Sequence, residues 1–365
     1  MPPGWIAGGN ILIEGKPQTG LAVQIKNNII SAIAPISQAT GEVRHLRPDQ
    51  WLLPGLIDVQ VNGGGGVLFN DAPEQLAVIV AAHAALGVAS ILPTLITDAS
   101  DLMLRAASAV LNWRGDQVLG LHMEGPFISP ARPGIHNPRF IRPMRPDDVA
   151  VMCGLAQRLA PRKLLVTLAP EEVPDDHLAA LAAAGVIMAI GHTTASHERC
   201  LQALALGVRG FTHLWNAMPG PTARAPGPVV AALSQGYSGL IVDRVHVHRA
   251  NLQLTLAAQP PGRQFLVSDA MSVAGTDQSE FMLQGQRIRR REGRLIGDDG
   301  TLAGADLDLR GAVQNAVDWL GLPFARAWSM GSEVPAQFLG LRDRGRIGIG
   351  CCGDLVVVER SNSKQ

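Results

Sequence analysis

Eight short apolar runs recur along the middle of the chain: LIDVQV (56–61), ASILPTLI (89–96), VLGLHM (118–123), LLVTLA (164–169), VIMAIG (186–191), GFTHL (210–214), SGLIVD (238–243) and FLVSDA (265–270). Ala- and Leu-rich segments of helical period, such as 73–86 and 176–184, lie between them. Alternation of this kind is the pattern of βα units on a parallel sheet. Eight strands joined by helical crossovers close most economically into a (β/α)8 TIM barrel, so the chain reads as α/β. A dinucleotide-binding sheet is disfavoured, because no Gly-x-Gly-x-x-Gly turn follows any of the eight runs.

The two ends of the chain have a different period. Residues 1–52 and the segment RIGIGCCGDLVVVER near the C-terminus alternate apolar and polar side chains in short pieces, as half-buried antiparallel strands do. They predict a small β-sandwich domain assembled from 1–52 and 343–365 around a barrel spanning 53–342. A second alternating patch, FMLQGQRIRRREGRLI, predicts a hairpin insertion at about 281–296, after which 310–342 return to helical period.

Charge and cysteine content narrow the function. Lys and Arg total 31, as do Asp and Glu, so there is no broad basic field for nucleic acid or an anionic membrane, and an anionic substrate must be gripped locally. The four Cys, at 153, 200, 351 and 352, show no CxxC spacing; the reading is a reducing, cytoplasmic setting without a disulfide framework or zinc ribbon. No signal peptide is legible, and the longest apolar stretch (178–190) is broken by Gly185 and too short to cross a bilayer.

Unusual polar residues stand at the C-terminal ends of the apolar runs, which in a barrel is the catalytic rim. Gln60 and Asn62 end the first, Glu124 follows the third, His192 follows the fifth, His213 lies in the sixth, His246 follows the seventh and Asp269 ends the eighth. Glu124, His192 and His213 offer one carboxylate and two imidazoles, a set that holds a zinc-like divalent ion and leaves a position open for water. Asp269 would then be a general base and acid, although a buried Asp at such a place also caps helices. His136, in the loop PGIHNP, suits stabilisation of an oxyanion; composition alone does not separate it from an ordinary loop histidine. His122 shares a strand face with Glu124 and reads as a ligand or as a partner behind the ligands. His246 reads as a substrate contact and His248 as exposed, while His83 and His197 fall on predicted helices as surface or packing residues.

These residues sit within motifs that appear together and in order: PGLIDVQVNG (54–63), LPTLIT (92–97), GLHMEGPF (120–127), GIHNP (134–138), GHT (191–193), THLWNAMP (212–219), VSDA (267–270) and GTLAG (300–304). Over nearly its whole length the chain resembles the N-acetylglucosamine-6-phosphate deacetylases of the amidohydrolase superfamily. The resemblance implies that Glu124, His192 and His213 hold one divalent metal, Zn2+ in the first place with Fe2+ or another divalent ion as alternatives. It implies Asp269 as acid/base and His136 at the scissile carbonyl. It further implies contact with a phosphosugar through Asn216, Ala217, Arg224 and His246, with the backbone of Leu302, Ala303 and Gly304 at the acetyl end. Enzymes of this family are typically homodimers in which the residue matching Arg224 reaches the neighbouring active site.

Three departures bear on substrate and metal. Many amidohydrolases carry His-x-His on the first strand for a second metal, where this chain has Gln60-Val61-Asn62, so a mononuclear site is expected. ARAPG surrounds Arg224 where the family often has an acidic residue before the Pro, and Arg244 stands where a Gly is common. A galactosamine epimer or another N-acyl compound as substrate, and a non-catalytic phosphosugar-binding protein, are the rival readings; acetate release from each candidate substrate separates them.

Overall fold

The computed structural model describes residues 4–360. Each of the eight apolar runs supplies a barrel strand: Leu56–Val61, Val88–Ile96, Gly120–Glu124, Lys163–Leu168, Ile187–Ile190, Gly210–Phe211, Tyr237–Leu240 and Gln264–Leu266. Neighbours pair in parallel throughout. The first and eighth strands meet through Asn62 N–H donating to Ala270 O at 2.8 Å and Asp269 N–H donating to Gln60 O at 3.1 Å, which closes the ring. Closure places residues from all eight strand ends on one rim, so side chains more than 200 positions apart can share a site.

Several helices bury a single stripe. Ser100–Asn112, for example, turns Leu102, Met103, Ala106, Ala107 and Val110 inward at three- and four-residue spacing. Leu178 to Ile190 divides as its Gly185 implies, into a helix (Asp175–Ala183), a turn with Gly185 at φ 81° and the fifth barrel strand. Inside the barrel Ile57, Val59, Leu92, Leu165, Ile187, Ile241 and Phe265 fill the lower layers.

The chain ends form one continuous six-stranded sheet in the order Leu355–Glu359, Val43–Pro54, Gly4–Ile13, Leu21–Lys26 and Ile29–Pro35, with Lys16–Gln18 alongside Gly4–Ile13. One pair departs from the antiparallel expectation: Gly4–Ile13 and Val43–Pro54 run parallel, because the strands between them in sequence serve as the crossover. Apolar residues line both faces, Ile6, Val23 and Ile25 on one and Trp5, Ala7 and Ala22 on the other. Val43–Pro54 leads through Gly55 into the first barrel strand, and a Cβ at Gly55 would stand 2.4 Å from Ala89 Cβ, so only glycine fits where sheet and barrel join.

The expected hairpin at 281–296 is part of a four-stranded antiparallel meander: Glu280–Leu283, Gln286–Arg291, Arg294–Gly297 and Leu302–Ala305. Its last strand returns to the rim, where Ala305 N–H donates to Asp269 O at 2.9 Å. Periodicity marked the first turns of this unit but not its fourth strand, LAGA, which is too short and small to alternate.

Candidate active site

His192, His213 and Asp269 each follow an apolar strand and each has left-handed backbone, with φ of 48°, 32° and 52°. Such a residue ends the strand abruptly and costs on the order of 1–3 kcal/mol, a strain that clusters at functional sites. Glu124 needs no such turn, being the last residue of its strand.

The three candidate ligands converge. His213 Nε2 lies 2.9 Å and His192 Nε2 3.4 Å from Glu124 Oε1, and the two Nε2 atoms stand 3.1 Å apart. Donors about 2.0–2.1 Å from a tetrahedral zinc ion are roughly 3.3 Å from one another, so the spacing fits one such cation. Proton bookkeeping agrees. His192 Nδ1–H donates to Arg132 O at 2.9 Å, which leaves the Nε2 of a neutral ring as a lone pair facing a carboxylate oxygen. Two acceptors in contact require a positive group between them. Without an ion, His213 fills that need: burial works against its charge, but the bond to Glu124 and the field of Glu124 and Asp269 outweigh burial and raise its pKa. Burial likewise works against Glu124, and its close contacts with His192 and His213 override it, holding the carboxyl well below its usual range.

His136 competes for the role of ligand, since Glu124, His136 and His192 also offer donor atoms within 4.8 Å of one another. Its protonation decides against it. Thr97 N–H donates to His136 Nδ1 at 3.2 Å, and the Thr97 hydroxyl, itself 2.9 Å from Nδ1, also donates to Glu124 O at 3.2 Å. With Nδ1 accepting, a neutral His136 carries its proton on Nε2, which suits a hydrogen-bond donor and not a metal ligand. Burial, aided by the neighbouring His192, pushes its pKa down to about 3 and keeps it neutral.

Gln60 and Asn62 occupy the first-strand positions where a second metal's imidazoles would stand. Gln60 Nε2 donates to Glu124 Oε1 at 3.2 Å and to Asp269 Oδ1 at 3.1 Å, and Asn62 Nδ2 donates to Asp269 Oδ1 at 2.7 Å. The Gln60 amide bridges the two carboxylates and Asn62 adds a second donor to Asp269, so partial positive charge stands between the acids. They load Oδ1 and leave Oδ2 of Asp269 for a proton. Burial and the adjacent Glu124 raise the Asp269 pKa to about 7, against the pull of His213, His246 and Asn62.

Asn62, Glu124, His136, His192, His213 and Asp269 line a cavity of about 480 Å³ together with Asn216, Ala217, His246, Leu302 and Gly304. Ala303 is fully buried behind the wall and supplies backing. Arg224 is exposed on a loop and does not line the cavity of its own chain; Arg132, not singled out from the sequence, does. His122 is buried between Thr94, 3.2 Å from Nδ1, and Thr167, 2.8 Å from Nε2, with its pKa pushed down by burial to about 4, so it packs the barrel as a neutral ring. His83 is a packing residue with Nε2 2.9 Å from Gly63 O, His248 is the exposed N-cap of Arg249–Ala258, and His197 opens the helix His197–Ala205.

Comparison with known proteins gives the family. The chain is 36% identical over 359 residues to the N-acetylgalactosamine-6-phosphate deacetylase of Shewanella sp. (strain ANA-3), covering 96% of this chain and 90% of that one. It is 33% identical over 334 residues to the N-acetylglucosamine-6-phosphate deacetylase of Haemophilus influenzae, covering 88% and 86%. The crystal structure of N-acetylglucosamine-6-phosphate deacetylase from Pasteurella multocida superposes with a TM-score of 0.91 at 30% identity, covering 97% of this chain and 95% of the other. A family model, that of the amidohydrolase family, matches residues 51–364. A parallel barrel with buried metal-binding donors at its mouth, and kinship over nearly the full length, place this chain in the amidohydrolase family.

Proposed function

We propose that the enzyme hydrolyses the acetamide of N-acetylglucosamine 6-phosphate, with acetate and glucosamine 6-phosphate as products. The observation that carries this reading is the meeting of Glu124 Oε1, His192 Nε2 and His213 Nε2 within 3.4 Å, tied to Asp269 through the Gln60 amide. A single divalent cation, Zn2+ in preference to Fe2+, would be held by those three residues, lower the pKa of a water and polarise the amide carbonyl. Asp269 takes the water proton at Oδ2 and delivers it to the leaving nitrogen. His136 donates its Nε2–H to the developing oxyanion. Asn216, Ala217 and His246 hold the sugar phosphate, and the backbone at 302–304 bounds the acetyl group.

The same proposal has two chains pair as a homodimer in which Arg224 of one reaches the phosphate in the other, which accounts for its distance from its own cavity. It keeps the division into a β domain of 1–52 and 343–365 and a barrel of 53–342. Among the described residues no helix is long and apolar enough to cross a membrane, and all four cysteines are free, in keeping with a reducing cytoplasm.

Acetate release from N-acetylglucosamine 6-phosphate, beside the unphosphorylated sugar and with or without chelator, tests the reading. Turnover that needs the phosphate and is abolished by chelation is expected; binding without acetate release would refute it. The Shewanella relative and a second N-acetylgalactosamine-6-phosphate deacetylase, from Escherichia coli O157:H7 at 32% identity, favour one specific alternative, the galactosamine epimer. A higher kcat/KM on that epimer would replace the first substrate and leave the chemistry unchanged.

A further inference from the structure

Asp243, just past the seventh barrel strand, has no part in the chemistry above, yet it is among the most completely engaged side chains near the cavity. Its Oδ1 accepts the backbone N–H groups of Val245 and His246, each at 2.9 Å, and its Oδ2 lies 2.6 Å from His246 Nδ1. The two side chains are 3% and 8% exposed. Arg244 between them is left-handed at φ 69°, the turn that folds the backbone back over the carboxylate. Burial works against the Asp243 charge, but the His246 side chain and the two backbone donors outweigh it and hold the carboxyl below its ordinary range.

An ionised carboxylate can only accept, so His246 Nδ1 carries a proton and Nε2 is the nitrogen left for the cavity that His246 lines. We infer that Asp243 is a positioning residue, locking the His246 ring in one orientation and one tautomer so that Nε2 meets the sugar phosphate. Orientation set before binding spares the complex the entropy of fixing the ring. The inference rests on the reading of His246 as a substrate contact. A merely structural role, that of a turn-forming side chain, uses only Oδ1, which Asn supplies equally well. Asp243→Asn therefore keeps the turn and changes the group facing Nδ1 from acceptor to donor, moving the ring proton to Nε2.

The test is a double-mutant cycle on the metal-loaded enzyme with N-acetylglucosamine 6-phosphate, or its galactosamine epimer if that is the better substrate. Asp243→Asn and His246→Gln are each expected to raise KM about 10-fold, the low end of what losing an orienting partner costs, with kcat changed less than about 2-fold. The double variant is expected to be no worse than His246→Gln alone. Multiplying penalties, or an unchanged KM in Asp243→Asn while His246→Gln raises it, would overturn the inference and leave His246 as a contact. An unchanged KM in His246→Gln would overturn both. Nitrogen-15 imidazole spectra of the unsubstituted holoenzyme give a readout that does not depend on a variant folding: a His246 signal protonated at Nδ1 supports the inference, and an unprotonated Nδ1 overturns it.

Discussion

The two ends of the barrel are built on opposite terms. At the mouth, three strand-terminal residues are left-handed and a buried carboxylate faces two imidazoles and a second carboxylate. At the floor, Phe338 of the helix Glu333–Leu339 stacks on Phe265, with ring centroids 4.9 Å apart at 23°, and meets Tyr237 at 5.7 Å. Val334 and Leu339 complete this apolar plug. Burial of aromatic and aliphatic surface stabilises the floor, while the mouth carries backbone strain and the cost of buried charge. Chemistry and stability are thereby assigned to different rims of one sheet, and substitutions at each should register in different measurements.

The largest effect is expected at the mouth. Asp269→Asn keeps the size of the side chain and removes the proposed base, so kcat should fall by about 10²–10⁴, on the order of 3–5 kcal/mol, with metal retained and the melting temperature not lowered. Near-normal turnover with metal bound would remove Asp269 from the mechanism. At the floor, Phe338→Ala should cost about 3–5 kcal/mol in chemical denaturation and leave the kcat of the folded fraction within about 2-fold. A large loss of kcat without loss of stability would erase the distinction between the rims.

Asp354 sharpens the comparison, because it is a half-buried acid on the floor side, beside Gly55. Burial pushes its pKa up to about 6, against the pull of Arg344. A carboxyl raised in the folded state stabilises most below its unfolded pKa of about 3.8–3.9, and that contribution is lost as pH rises through about 6. Asp354→Asn should therefore gain on the parent by about 2–3 kcal/mol between pH 4 and pH 8, read from denaturant midpoints. A pH-independent difference would show that the acid is not strained there. The smallest effect is expected at Arg244, whose φ of 69° suits glycine: Arg244→Gly should stabilise by about 1 kcal/mol. A loss of stability would mean that the contact of its guanidinium with Trp319, 5.9 Å from the ring centroid, outweighs the strain.

Most of the strand-borne design was legible in the sequence, and the loop-borne part was less so. Apolar runs announce barrel strands because burial on both faces leaves no room for alternation, and a Glu, His or Asp at the end of such a run stands out by contrast. Glu124, His192, His213 and Asp269 stand at or just past such ends, and closure of the barrel brings them together. The roles of Gln60 and Asn62 were half visible: the absence of His-x-His argued for one metal, but the amide bridge between two carboxylates required the third dimension. Thr97, which sets the tautomer of His136, and Arg132, whose carbonyl fixes that of His192, gave no sequence signal, since backbone and hydroxyl contacts leave no mark on composition. The parallel pair in the terminal sheet was missed for a related reason, because period-two alternation reports a strand's faces and not its direction.

Metal content tests the central claim most directly. Purified chain should hold one divalent ion, keep it in Asp269→Asn and lose it in His213→Asn. Two tightly held ions per chain, or full retention in His213→Asn, would contradict a single cation seated among Glu124, His192 and His213.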